Sequence, residues 1–310
     1  MSSPVDSILW QLVSEVEPTP TQKDGAQRSH KYLRDLLNSG QMGSRITNSY
    51  LSGSYARDTA IRPLDDVDVV FEIVPTAWTS GAATLLYGSP SPEKVLESFA
   101  NAIRYRYPVS SVYGQRRSVR LELYHLDIDV VPAIPDRGDP VIVLVPDRET
   151  GTWIKSSPRR HSENAARVNK IHDGRFKPLV KLLKYWNSNL PETIRCKSFM
   201  IETMALLLFE KVALNSLQVG AITFWDFLAS RYGEPTLYNW SQNYGMEFGF
   251  WKVSVPDAAG TGSNIAAHLD NKRARGLSIK ARISRDRLSA AARSRTAVGL
   301  QDYLYDAFRA

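Results

Sequence analysis

Asp66 and Asp68 stand two apart in Asp66-Val67-Asp68-Val69-Val70. The stretch around them alternates, with Val67, Val69, Phe71 and Ile73 on one side and Asp66, Asp68 and Glu72 on the other. A strand of that pattern projects both carboxylates from one face. Two carboxylates on one face, with no cation nearby in sequence, repel each other and invite a divalent metal. Their hard oxygens suit Mg²⁺, which keeps waters and substrate phosphates as its other ligands; Mn²⁺ is the alternative ion. A second pair, Asp127 and Asp129, shares a face in Leu126-Asp127-Ile128-Asp129-Val130-Val131-Pro132. This strand offers a third carboxylate to the first pair, and if the two strands lie side by side, three carboxylates converge. That is enough for two ions roughly 3.5–4 Å apart, one lowering the pKa of an attacking hydroxyl and one holding a triphosphate and its leaving group. The reaction implied is attack by a sugar hydroxyl on an α-phosphate with release of pyrophosphate. Eleven residues ahead of Asp66 lies Leu51-Ser52-Gly53-Ser54. Gly53 lets a backbone approach a phosphate closely, and Ser54 can donate its hydroxyl and N–H to it.

The elements that must hold these residues are legible in outline. Ile8, Leu9, Leu12, Val13 and Val16 repeat at helical spacing. Pro18 and Pro20 interrupt, and Thr21 can cap a second helix to about Leu37. The alternating strand covers Asp66–Val74, a helix follows from Pro92 to Tyr105, and 109–113, 118–123, 126–131 and 141–145 read as further strands. From about Pro158 the chain turns helical. Leu179, Leu182, Leu183 and Trp186 form one stripe, Phe199–Leu208 is the strongest apolar helix, and Thr223–Arg231 and Ala290–Phe308 are weaker ones. The expected organisation is an α/β lobe with a mixed sheet over residues 1–155, then an α-helical lobe over 156–310. A cleft between such lobes is a usual place for a ligand.

Gly53-Ser54 followed after eleven residues by Asp66-x-Asp68 matches the signature of polymerase β-like nucleotidyltransferases. Ser52-Gly53-Ser54-Tyr55-Ala56-Arg57-Asp58-Thr59-Ala60-Ile61-Arg62 together with Asp66-Val67-Asp68-Val69 most resembles the bacterial CD-NTases, relatives of cyclic GMP-AMP synthase and 2′-5′-oligoadenylate synthetase. Asp129-Val130-Val131-Pro132-Ala133 resembles their third-carboxylate strand, which favours Asp129 over Asp127 as metal ligand. One residue departs from the pattern: position 58 is Asp where these proteins often have Gly, which bears on loop shape more than on chemistry. The resemblance continues in Lys177–Trp186 and Lys197–Glu202. It implies that Lys184 reaches the triphosphate, that Ser198 binds phosphate where a helix N-terminus offers free N–H groups, and that Phe199 stacks on a base.

The resemblance thus implies a bilobal enzyme with Asp66, Asp68 and Asp129 as catalytic and metal-binding residues. Gly53, Ser54, Lys184, Ser198 and Phe199 would bind nucleotide, with two Mg²⁺ ions and NTPs as substrates. The product expected is a cyclic di- or trinucleotide, or a short oligonucleotide, used as a second messenger in anti-phage signalling; a downstream effector would bind the product rather than the enzyme. The alternative within the same chemistry is a template-independent RNA nucleotidyltransferase of the poly(A) or tRNA 3′-end type. A net charge of +7 and a pI near 9.4 suit nucleotides or nucleic acid as partners. Nucleic acid is not required. Lys272–Arg295 holds nine Lys and Arg against one acid, Asp286, and reads as a solvated helix face or tail, or as a grip for an acidic partner. A single cysteine, Cys196, excludes a disulfide framework or a cysteine zinc cluster. The first ten residues lack a signal-peptide pattern and the apolar runs are too short to cross a bilayer, so a cytoplasmic protein without membrane contact is expected.

Overall fold

The computed structural model describes residues 3–40, 42–78, 89–230, 244–248, 253–294 and 297–309. Two helices come first, α1 (Pro4–Val16) and α2 (Pro20–Ser39). Thr19, not Thr21, caps α2. Its hydroxyl accepts the Gln22 N–H while the Gln22 side chain accepts the Thr19 N–H. Pro20 therefore opens the helix instead of interrupting it, at a position where the missing N–H had no helical partner to lose. Strand β1 (Ile46–Ser52) runs into the single turn α3 (Gly53–Ala56) and then β2 (Asp66–Ile73). Helix α4 (Pro92–Arg106) and strands β3 (Val112–Gly114), β4 (Val119–Glu122), β5 (Asp127–Pro135), β6 (Val143–Asp147) and β7 (Thr152–Ser156) follow.

These strands form one mixed sheet in the order β1-β2-β5-β4-β3, with β6 pairing β5 and β7 pairing β6. The β2–β5 pair is parallel. One face of the sheet is apolar: Val67, Val69, Phe71 and Ile73 of β2, Val119 and Leu121 of β4, and Ile128 and Val130 of β5 are buried with Leu33 and Leu37 of α2 and Val95, Leu96, Phe99 and Ile103 of α4. Burying each such side chain contributes about 1.5–3 kcal/mol. That burial fixes which residues face the other way, because a slip of one residue would turn every apolar side chain outward. The carboxylates are left on the opposite face.

The remaining helices are α5 (Pro158–Ile171), α6 (Phe176–Ser188), α7 (Ser198–Phe209), α8 (Leu217–Ala229), α9 (Asn271–Arg293) and α10 (Ala297–Phe308), with a short ribbon of β8 (Glu247–Phe248) and β9 (Val253–Ser254). The expected helix at 223–231 begins earlier, at Leu217, and its last expected residue, Arg231, lies outside the described residues. The expected helix at 290–308 is the end of one helix and the whole of another. Leu179, Leu182, Leu183 and Trp186 of α6 are fully buried, and the Trp186 indole N–H donates to Ser284 of α9 at 2.9 Å. Arg295 lies outside the described residues, and as far as Arg293 the basic segment is therefore a packed helix. Ala274, Leu277, Ala281, Ser284, Leu288 and Ala291 form its buried stripe at alternating three- and four-residue steps, while Lys272 and Arg275 are exposed.

The chain divides into two compact units, Pro18–Ser162 and Met1–Glu17 with Glu163–Ala310. Against the expected division at residue 155, the boundary falls after Ser162, and α1 belongs with the helical unit. Its stripe of Leu9, Leu12, Val13 and Val16 is buried, and it packs on α6 and α8. Two polar ties secure it. The Gln218 N–H donates to Asp6 at 3.0 Å, and Lys181 donates to Glu17 at 2.6 Å. Among the described residues no helix is long and apolar enough to cross a membrane.

Candidate active site

The parallel register of β2 and β5 sets Asp66 beside Asp127 and Asp68 beside Asp129. Neighbouring residues in register share a face, so all four carboxylates project together. The antiparallel neighbours extend the rows. Ser52 of β1 sits opposite Asp68, Arg120 of β4 opposite Asp129, and Glu122 opposite Asp127. One row thus reads Ser52, Asp68, Asp129, Arg120 across four strands. Asp129 is buried and Asp68 is half-buried.

Burial, and then the negative charges of Asp66 and Asp129, push the Asp68 carboxyl up to about 7. Arg57 and Arg120 pull it back only in part. The fold thus brings to the carboxylates cations that the strand's own sequence does not carry. Arg57 follows the Gly-Ser turn, and Arg120 comes from a strand more than fifty residues downstream of Asp66. Arg120 grips Asp129 with two hydrogen bonds, of 3.0 and 2.7 Å, and Asp127 with one of 3.0 Å. Burial raises the Asp127 carboxyl as well, against the pull of Arg120.

Gly53 begins α3 with φ +69°, in the left-handed region. A Cβ built there would overlap Asp68 Oδ2 and lie 2.8 Å from Asp68 Cγ. Besides the approach to a phosphate read from the sequence, Gly53 has a local reason to be glycine: only its hydrogen leaves room for Asp68. Ser54 is half-buried, and its carbonyl accepts the Thr59 N–H at 2.9 Å. Asp58, the residue that departs from the family pattern, also has positive φ, 57°, and is exposed. Asp tolerates that conformation better than most residues, which explains how it stands where glycine is usual.

In the helical unit, Lys184 is only 5% exposed on α6. The helix is buried on enough sides to take in Lys181 and Lys184 along with its apolar stripe. Ser198 is exposed and is the first residue of α7, after the N-cap Lys197, whose side chain makes no capping bond. Phe199 is half-buried. The buried Asn187 fixes the approach to α7, donating to the Cys196 carbonyl at 2.8 Å and accepting the Cys196 N–H at 3.1 Å. Arg57, Arg120 and Asn187 were not singled out from the sequence. The alternation Val119-Arg120-Leu121 is the one signal that could have found Arg120.

Asp66, Asp68 and Asp129 fit divalent cations by their chemistry: hard oxygens, crowded like charges, and one carboxyl, Asp68, raised to about 7 by burial first and by its charged neighbours second. Among the described residues no three acidic, His or Cys side chains are gathered at metal-ligand spacing as they stand. Asp129 already serves Arg120. A carboxylate offers about four lone-pair sites, so the two bonds from Arg120 leave room for an ion.

A mixed sheet carrying Gly-Ser, a paired-carboxylate strand and a parallel third-carboxylate strand, followed by helices, is the core of a polymerase β-like nucleotidyltransferase. Residues 3–169 match the family described as Second Messenger Oligonucleotide or Dinucleotide Synthetase domain, and the chain belongs to that family, among the bacterial CD-NTases. A cyclic AMP-AMP-AMP synthase of Acinetobacter is 34% identical over 203 residues, 62% of this chain and 55% of that protein. A probable cyclic nucleotide synthase of Bacillus cereus is 28% identical over 213 residues, 60% of this chain and 62% of that protein. The chain thus matches little more than half the length of these curated relatives. The structure of Escherichia coli MS115-1 CdnC with ATP superposes with a TM-score of 0.76 at 21% identity, covering 100% of this chain and 98% of that one. At that identity the likeness concerns the fold.

Proposed function

We propose that this chain is a divalent-metal-dependent nucleotidyltransferase that joins NTPs into a cyclic di- or trinucleotide, or a short oligonucleotide, as a second messenger in the cytoplasm, serving anti-phage signalling. The observation that carries the reading is the register of β2 on β5, which sets Asp66, Asp68 and Asp129 on one face of the sheet. In the reaction a sugar hydroxyl oxygen bonds the α-phosphorus of an NTP, the bond from that phosphorus to pyrophosphate breaks, and pyrophosphate leaves. Two Mg²⁺ ions, or Mn²⁺ in their place, would acidify the hydroxyl and neutralise the leaving group. Asp66, Asp68 and Asp129 would hold them. Gly53 and Ser54 bring backbone and hydroxyl donors to phosphate oxygens. Lys184 and Ser198 are the proposed phosphate contacts of the helical unit, and Phe199 is its stacking surface. The name of the Acinetobacter relative specifies three AMP units, and ATP is accordingly the substrate we assign first. The effector would bind the product, not the enzyme.

The test is pyrophosphate release from ATP and Mg²⁺ without RNA. Release by the wild type that disappears in Asp129→Asn supports the reading, and release undiminished in that variant contradicts it. Two further outcomes are expected. Lys184→Met, which keeps the buried stem, weakens binding of a non-hydrolysable ATP analogue by about 1.5–3 kcal/mol, the value of a charge-assisted hydrogen bond; unchanged binding makes Lys184 a structural lysine. Neutralising Lys272, Arg273 and Arg275 on the outer side of α9 leaves synthesis from NTPs intact across a salt series. An enzyme extending RNA would instead lose its primer affinity and the salt dependence that phosphate contacts produce.

A further inference from the structure

The proposed chemistry gives Arg120 no task, yet three hydrogen bonds fix it on the carboxylate face. Its Nε donates to Asp129 Oδ1 at 3.0 Å and one terminal nitrogen donates to Oδ2 at 2.7 Å. The other terminal nitrogen donates to Asp127 Oδ2 at 3.0 Å. The guanidinium is flat and its donors are fixed in a fork. Two parallel bonds to one carboxylate therefore set the plane of that carboxylate as well as neutralising it. Asp129 is 7% exposed, so turning it out of this plane would strand a buried charge. Asp68 is held differently, by packing against Gly53. Asp127 lies in the row of Asp66 and Glu122 and serves as the second anchor of the same guanidinium.

We propose that Arg120 is a positioning residue, anchored by Asp127, that holds the Asp129 carboxylate in the plane from which its remaining lone pairs meet a divalent ion. The inference rests on the metal-dependent reading of the site. It explains why both Asp127 and Asp129 occur on β5 while one of them suffices as a ligand: Asp127 fixes the arginine and Asp129 is fixed by it. A lysine at position 120 would supply the charge without the plane. Groups that orient a ligating side chain in this way govern metal affinity as well as turnover.

The test uses the full chain without nucleotide, titrated with Mn²⁺ and followed by electron paramagnetic resonance, alongside turnover of ATP and melting in chelator. Arg120→Lys is expected to melt with the wild type, to bind Mn²⁺ about 10–100-fold more weakly, and to lose kcat by a similar factor. At saturating Mn²⁺ its KM for ATP stays within about twofold, because Arg120 is not among the proposed nucleotide contacts. A purely structural role would lower the melting temperature and leave the Mn²⁺ affinity of the folded fraction unchanged. Should Arg120→Lys fail to fold, Asp127→Asn, which removes one anchor and leaves Asp129 untouched, must still weaken Mn²⁺ several-fold. Wild-type affinity in Asp127→Asn, or in a folded Arg120→Lys, overturns the proposal. A wild-type chain that binds no Mn²⁺ at all contradicts the metal-dependent reading itself, a result distinct from equal binding by wild type and variants.

Discussion

Asp66→Asn and Asp68→Asn proteins are expected to fold and to release pyrophosphate at least about 10²–10³-fold more slowly than the wild type, the range typical for removing one preorganised electrostatic contact. Each change keeps the side chain's size and its place on β2, so the loss is chemical. The Asp68 variant carries a second signature. In chelator the wild-type Asp68 carboxyl sits near 7, raised by burial and by Asp66 and Asp129 from an ordinary 3.8. A carboxyl whose pKa is raised on folding binds its proton more tightly in the folded chain than in the unfolded one. Its contribution to stability is therefore complete below about pH 4 and is lost as pH rises to about 7. The loss is on the order of a few kcal/mol, since a tenfold difference in proton affinity is worth about 1.4 kcal/mol. Asn does not titrate. Melting curves in chelator should thus diverge between pH 4 and 7, with Asp68→Asn the more stable protein above pH 7. Parallel curves for the two proteins would show that neither burial nor the neighbouring carboxylates raise Asp68 in the folded chain.

Gly53→Ala should be almost as damaging to activity, by a different route. Its Cβ would occupy the space of Asp68 Oδ2, and φ +69° is unfavourable for alanine. Either Asp68 leaves its place or the α3 turn moves. The expected result is activity close to that of Asp68→Asn together with a stability loss of about 1–3 kcal/mol, the usual cost of strained backbone. Asp58→Gly is the control. That position has φ 57° but an exposed side chain, so stability should change by less than about 1 kcal/mol and activity should persist. Wild-type turnover and melting in Gly53→Ala would remove the packing argument for Gly53.

The carboxylate strands were legible because burial of one sheet face writes a polar-apolar alternation into the starts of β2 and β5, over Asp66–Val69 and Asp127–Val130. Strand β1 was not legible. It is an edge strand, its exposure follows no alternation, and Thr47 and Asn48 are exposed. Val109 misled in the opposite sense, since an apolar residue at 98% exposure lies outside the strand that begins at Val112. Helix α9 was hidden by its composition. Its buried stripe is mostly Ala and Ser, whose small side chains give a weak apolar signal against nine basic neighbours in and just beyond the helix. The pairing of Arg120 with Asp129 depends on which strands become neighbours, and spacing along the chain carries no record of that. The burial of Lys184 is not legible in the sequence, because helical periodicity shows which stripe is apolar, but not how many other helices close around it.

The central claim is synthesis of a nucleotide messenger from NTPs alone. The most direct measurement is mass spectrometry of the products formed from all four NTPs with Mg²⁺ and no RNA, after phosphatase treatment. A cyclic product has no terminal phosphate and survives phosphatase. A phosphatase-resistant cyclic di- or trinucleotide containing AMP is expected with the wild type and not with Asp66→Asn. Products that form only when RNA is added, or a resistant product made equally by Asp66→Asn, would contradict that claim.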